Sequence, residues 1–354
     1  MRRILALALA VSAAVVAVTT VPAPVSAGVQ VDGYVWAYQP SAASYSAASG
    51  YERNSTGGAV VITRSSAGVY SVRFAGMAVS GGVAHVRPYG SGNTGICTIA
   101  SWLPVGVDEV LSIRCFTAAG VAADSYFVAH FTNRTSAYAT FAYFWAHDAY
   151  SATPYTPSTA YSYDSTGGSP LAWRQSQGVY MVQMPTVDAH YPVDNNDGHY
   201  QVTAYGTAPV RCEVHGENDE TPTPIGVFCV DAFGNPADTR FSISYSRGVN
   251  VLGTTPARAN AYFRHSWGDP ASYWAEGSRN TGGTPTIAYL GVGRYRVTFP
   301  GLSIPYGYAQ SGSRGDPSTY CATAYWGSNA VTVNCYNNVT DAYADSDFTV
   351  AITS

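Results

Sequence analysis

Along three short stretches of this chain, large core-forming residues occupy every second position. Tyr70, Val72 and Phe74 alternate with Ser71 and Arg73, and Tyr295, Val297 and Phe299 alternate with Arg294, Arg296 and Thr298. Tyr180, Val182 and Met184 keep the same spacing, with Gln183 on the other face. A period of two is that of a β-strand with one face in a core and one in water. Leu111, Ile113 and Cys115 against Ser112 and Arg114 repeat it, as do Val331, Val333 and Cys335 against Thr332 and Asn334. Gly and Pro clusters interrupt the chain at short intervals, and no stretch carries the period of an amphipathic helix. The pattern predicts an all-β protein.

These strands recur together with their surroundings. Asn54-Ser55-Thr56-Gly57-Gly58 returns as Asp164-Ser165-Thr166-Gly167-Gly168 and as Asn280-Thr281-Gly282-Gly283. Ten residues on, the alternating strand opens at Gly68, Gly178 or Gly293. Cysteine pairs follow: Cys97 and Cys115, Cys212 and Cys229, Cys321 and Cys335. Then comes Asp124-Ser125-Tyr126-Phe127, Asp238-Thr239-Arg240-Phe241 or Asp345-Ser346-Asp347-Phe348. The period of 110 to 115 residues is a domain length. The expected organisation is a leader over 1–27 and three tandem domains over 28–135, 136–250 and 256–354, with Val249–Pro256 as a short linker. Each domain should be an antiparallel β-sandwich or flattened barrel of about seven strands. The second cysteines lie on the apolar face of their strands, which puts each disulfide inside, between neighbouring or facing strands. The repeat unit resembles tandem secreted β-domains of GC-rich bacteria, a family with no settled activity. That resemblance implies export and architecture and nothing about catalysis.

Composition agrees with export. Met1-Arg2-Arg3, the apolar run Ile4–Val18 and the small residues Val25-Ser26-Ala27 read as a cleaved signal peptide, too short in its apolar part to span a bilayer. No second long apolar run predicts a membrane span in the mature chain. Two cysteines per repeat suit an oxidising compartment, whereas the lack of Cys-x-x-Cys argues against zinc. Cleavage leaves 16 of the 18 basic residues, all arginine, against 22 acids, a formal charge of −6. An acidic chain with no basic run offers no footing for nucleic acid.

Residues present in every copy serve the fold before they serve a site. Asp124, Asp238 and Asp345 are expected to cap backbone N–H groups at the start of the last strand. The Thr-Gly-Gly segments lack the Lys and helix of a phosphate loop and read as tight turns. Residues that differ between copies are the better functional candidates. From Phe74 to Gly90 and from Phe299 to Gly315 is 16 residues, but from Met184 to Gly206 is 22. The six-residue insertion lies within Asp188–Tyr200, a solvated hairpin tip in which Asp188, Asp194 and Asp197 are candidate Ca²⁺ ligands and His190 and His199 candidate transition-metal ligands or catalytic groups. No cofactor is otherwise expected.

The chain has 28 Tyr and 7 Trp. Trp102 and Trp326 stand five residues past the first cysteine of their repeats, where the middle copy has Glu217. By alternation they point away from the cysteine face. Trp36 and Trp145 occupy matching positions near the start of their repeats, where the third copy has Arg264. A position open to Arg or Glu reads as exposed, so these four tryptophans are candidate platforms for sugar rings. No Gly-x-Ser-x-Gly or His-Glu-x-x-His motif is present, and six paired cysteines leave no free thiol. The sequence therefore reads as a secreted, non-enzymatic protein that binds carbohydrate or cell-wall polymer. The alternatives are a structural or adhesive surface protein, and a secreted hydrolase with its site in the insertion of the second repeat.

Overall fold

The computed structural model describes residues 28–135, 140–188, 198–215, 224–254, 260–265, 279–280, 283–304 and 306–353; the leader assigned to 1–27 lies outside them. The fold is all-β, with one short helix at Pro185–Asp188 and one turn of 3-10 helix at Thr159–Tyr161. The first repeat supplies eight principal strands: Asp32–Ala37, Glu52–Asn54, Val60–Ser66, Val69–Phe74, Val83–Pro88, Ile96–Val105, Asp108–Phe116 and Phe127–Thr132. Counted in that order, they form two antiparallel sheets, second-first-eighth-fifth and third-fourth-seventh-sixth, with the short strand Ser44–Ser46 added to the edge of the latter. The corresponding strands of the second and third repeats pair in the same two orders. The strand beyond the anticipated seven is the short one that leads into the Thr-Gly-Gly turn and pairs with the first.

The alternation places residues as expected on the third-fourth-seventh-sixth sheets. Tyr70, Val72 and Phe74, Tyr180, Val182 and Met184, and Tyr295, Val297 and Phe299 are all buried. Each pair of sheets closes on its own apolar core: Val35, Val72, Ile113 and Phe131 in the first, Phe144, Val182, Val227 and Ile243 in the second, Val297, Val333, Val350 and Ile352 in the third. The disulfides join Cys97 to Cys115, Cys212 to Cys229 and Cys321 to Cys335. In each case the two residues are directly opposed on neighbouring strands, so the bond staples a hairpin and does not cross the sandwich.

The repeated aspartates tie distant parts of each repeat together. Asp124, Asp238 and Asp345 accept the N–H of Gly68, Gly178 and Gly293 at 3.0, 2.9 and 2.7 Å. The hydroxyls of Tyr70, Tyr180 and Tyr295 donate to the same carboxylates. Tyr70 and Tyr180 in turn accept from the N–H of Ser125 and Thr239. The aspartate therefore caps the turn that opens the fourth strand, and the tyrosine caps the start of the eighth. At Gly68 a Cβ would meet the Cys115 carbonyl at 2.1 Å, which explains the glycine. In the Thr-Gly-Gly turns, Oδ1 of Asn54 or Asp164 accepts from the N–H and hydroxyl of the threonine two residues on, an Asx-type turn.

The second-first-eighth-fifth sheets depart from the sequence expectation. Both faces of the eighth strands are buried, along the whole of Phe127–Thr132 and of Phe348–Thr353. The inner faces line the sandwich cores. The outer faces, which alternation assigns to water, pack against the neighbouring repeats. The three repeats close into a ring through matching contacts. Gly206 N donates to Ile99 O, Gly90 N to Thr323 O, and Gly315 N to Val214 O. Gly90, Gly206 and Gly315 all have positive φ (119°, 144° and 90°), so the glycine that recurs after each fifth strand serves the joint between repeats. A single parallel bridge, Tyr205 with Ile99, makes one sheet of the first repeat continuous with one of the second. Val249, Val251 and Leu252 are buried as well, so the anticipated linker is part of the packing between repeats.

Where the three outer faces meet, the interior is polar. His85, His130, His199, Gln201, Thr203, Ser242, Ser244 and Gln310 are all buried there. His85 Nδ1 lies 3.1 Å from Thr203 Oγ1, and His130 Nδ1 3.0 Å from the Tyr308 hydroxyl. Arg87 of the first repeat forms a two-point ion pair with Glu213 of the second, which also accepts the N–H of Ser313 in the third.

Candidate functional site

The four tryptophans come together in two pairs, one at each of two seams. Trp36 of the first repeat lies 4.3 Å from Trp326 of the third, ring centre to ring centre, and Trp145 of the second lies 5.9 Å from Trp102 of the first. Trp102 and Trp326 are buried, contrary to the expectation of exposed platforms; each belongs to the core of its own sandwich. The cause is a one-residue bulge in the sixth strand. Ile99 pairs with Ile113 and Ser101 with Ser112, so Ala100 is unpaired and Trp102 falls opposite Leu111 on the core face. The same shift between Thr323 and Tyr325 puts Trp326 opposite Val331. Each bulge reverses the alternation from which outward tryptophans were inferred. Trp36 and Trp145 are half-buried, laid across the end of the neighbouring core. The side chain of Arg264 and the whole of Glu217 lie outside what the structure describes.

The surface over each seam differs between copies. Over Trp36 and Trp326 it is aromatic. Tyr51 packs against Trp36 at 4.4 Å, the rings tilted by 54°, and touches Tyr38 at 5.0 Å and Tyr306 at 5.3 Å; Tyr38 meets Tyr45 at 5.4 Å. Tyr89 joins Trp36 and Trp326 from below and carries Tyr126. Tyr306 and Tyr126 are each nearly half exposed, at 47% and 46%, and Tyr38 and Tyr51 are partly so. Burial pushes the Tyr45 and Tyr89 phenols up. The sequence carried a signal for it that was not used: Tyr38 stands two residues beyond Trp36, on the same side of the chain.

Over Trp102 and Trp145 the surface opens into a cleft of about 550 Å³ lined by His147, Asp148, Tyr150, Tyr205, Asp238 and Arg240, among others. Tyr205 lies 4.9 Å from Trp145 and 5.5 Å from Trp102. The Arg240 guanidinium rests over the Tyr205 ring at 4.9 Å. Tyr150 is 75% exposed at the rim. Position by position, His147 stands where the first repeat has Tyr38, and Arg240 where it has Tyr126. Burial alone would raise the Asp238 carboxyl, but the Arg174 fork, the Gly178 N–H and the Tyr180 hydroxyl bring it below the usual range.

The insertion residues contribute little to either surface. Asp194 and Asp197 lie outside the described residues, as does the side chain of Asp188, which ends the short helix. His199, read as part of a solvated tip, is instead buried among the repeats at the start of a strand, and Tyr200 packs in the second core. Among the described residues no group of three or more His, Cys, Asp or Glu is placed to hold a metal ion, and no helix is long and apolar enough to cross a membrane. No family model, no curated protein and no solved structure matches this chain.

Proposed function

We propose that this is a secreted, non-enzymatic binding protein whose ligand is a carbohydrate or cell-wall polymer, held on the tyrosine array above the Trp36–Trp326 seam. The observation that carries the reading is the contiguous run of partly exposed rings, Tyr38, Tyr51 and Tyr306, anchored on the half-buried Trp36 and the buried Trp326. Flat, rigid rings with hydroxyl edges stack on the apolar faces of sugars and hydrogen-bond their rims. The array differs from the tryptophans inferred from sequence, and the rings that contact ligand are tyrosines. Three disulfides and no free cysteine among the described residues support an oxidising compartment.

A pull-down on insoluble polysaccharides and isolated cell walls tests this. The Tyr51→Ala, Tyr306→Ala double variant should lose about thirtyfold in retention, since ring contacts of this kind are worth about 1 kcal/mol each. Equal retention by the variant, or no binding of the wild-type protein to any polymer, rejects it. A second reading, an adhesive surface component, is favoured by the hairpin tip at Leu103, Val105 and Val107, exposed by 52%, 60% and 73%.

A further inference from the structure

The cleft on the second repeat has an electrostatic character that the tyrosine array lacks. Two carboxylates and one guanidinium line it, and their commitments differ. Both oxygens of Asp238 are taken by Arg174, at 2.8 and 2.9 Å, with further donation from Gly178 and Tyr180. Asp148 turns Oδ1 onto the backbone N–H groups of Tyr150 and Ser151, at 2.9 and 3.1 Å. Arg240 has no carboxylate within ion-pair distance among the described residues. Among the described residues its guanidinium lies over the Tyr205 ring at 4.9 Å, with Trp145 farther off at 5.9 Å. A guanidinium lying on a ring keeps its N–H edge free, and that planar fork matches a carboxylate in two-point geometry.

Among the described side chains seven other arginines lie within 4.0 Å of an acid, whereas Arg114, Arg294 and Arg296 do not. Arg53 and Arg134 share Asp32, Arg64 holds Asp124, Arg73 holds Asp108, and Arg87 holds Glu213. At the position of Arg240 the first repeat has Tyr126 and the third has Asp347, so the strand does not require a cation there. The side chain is exposed, and it neither fills a core nor caps a strand. A cation placed by an aromatic pair, in a cleft, in a chain of net acidic charge, is the pattern of a recognition group.

We propose that this cleft is a second binding site, for a small ligand that bears a carboxylate, held by the free edge of the Arg240 guanidinium. Its walls suit a ligand with hydroxyls: Thr207 and the exposed Tyr150 also line the cleft. Sugar acids and simple organic acids share this chemistry. The site is separate from the tyrosine array and stands or falls independently of it.

Titration of the full chain with glucuronate, succinate and glucose, followed by Trp fluorescence and calorimetry, tests the proposal. Glucuronate should bind, high salt should weaken it, and Arg240→Ala should reduce affinity at least about tenfold, the size expected for loss of a charge-assisted two-point contact. Arg240→Lys, which keeps charge and loses the fork, should fall between. Glucuronate binding more tightly than succinate identifies a sugar acid; equal binding identifies a general carboxylate site. Glucose bound as well as glucuronate, or unchanged glucuronate affinity in Arg240→Ala with wild-type thermal stability, overturns it. So does the absence of carboxylate binding by the wild-type protein. The Tyr51→Ala, Tyr306→Ala variant should bind glucuronate normally.

Discussion

Glu109 is the second residue of its strand, sits opposite Phe74 and Pro104, and is fully buried. Among the described residues its carboxylate accepts one long hydrogen bond, from the Val79 N–H at 3.4 Å, and Oε1 has no partner. Burial pushes its carboxyl up to about 8, so it is protonated at neutral pH. The unfolded chain titrates near 4.5, so the folded state holds the extra proton between the two values. Stability should therefore fall as pH rises from about 4.5 to 8, and Glu109→Gln should flatten that decline. Melting temperatures of both proteins across this range check it; parallel curves contradict it. Asp238 has the opposite character. Asp238→Ala strips four contacts from one carboxylate and should cost about 2–3 kcal/mol by denaturant unfolding. The alternation and the recurrence of these aspartates were both legible in the sequence. That the carboxylate caps the fourth strand and its tyrosine the eighth was not, because the two lie more than fifty residues apart.

At the scale of elements, hairpins were legible and bulges were not. A hairpin announces itself by period, turn residues and paired cysteines, all within a short span of chain. The disulfides close loops of 18, 17 and 14 residues, so reducing each should cost about 3 kcal/mol while leaving the sheet order intact. The bulges at Ala100 and Ala324 leave no such mark, since alanine is equally at home paired or unpaired. One unpaired residue turned Trp102 and Trp326 from the water face to the core face. Deleting Ala100 should leave the strand regularly paired with Trp102 still opposite Leu111 on the core face, so denaturant titration should show a loss well below the about 3–5 kcal/mol of a lost buried aromatic. A loss of that full size would show that Trp102 had left the core and that the register across Ala100 does not set its orientation. At the Trp36–Trp326 seam, a double-mutant cycle on Trp36→Phe and Trp326→Phe should give a coupling of about 1 kcal/mol.

At the scale of the molecule, the ring of repeats buries a polar interior. Burial, the largest cause, lowers His130 and His199 to about 3 and takes His85 well below its ordinary value. Arg87, paired with Glu213, and the Tyr308 hydroxyl are the other ionisable groups that face them. An unfolded histidine titrates near 6.5, so between that pH and about 3 the unfolded chain binds more protons. Stability should fall as pH falls through this window, by up to about 1.4 kcal/mol per pH unit for each histidine. His85→Gln should remove one proton's share of that slope in acid-dependent denaturant titrations. An unchanged slope would place the acid sensitivity elsewhere.

The sequence by itself determined what each repeat does within its own span: the strand faces, the tight turns, the cysteine pairing and the all-β class. These follow from contacts between residues close along the chain, whose periodicity any one copy displays and three copies reinforce. The tertiary structure alone decided the fate of the polar faces, the sealing of the tryptophans and the surfaces left open above the seams. Those outcomes depend on partners in another repeat, a domain length away, and a strand's alternation distinguishes its two sides without saying what will cover the second.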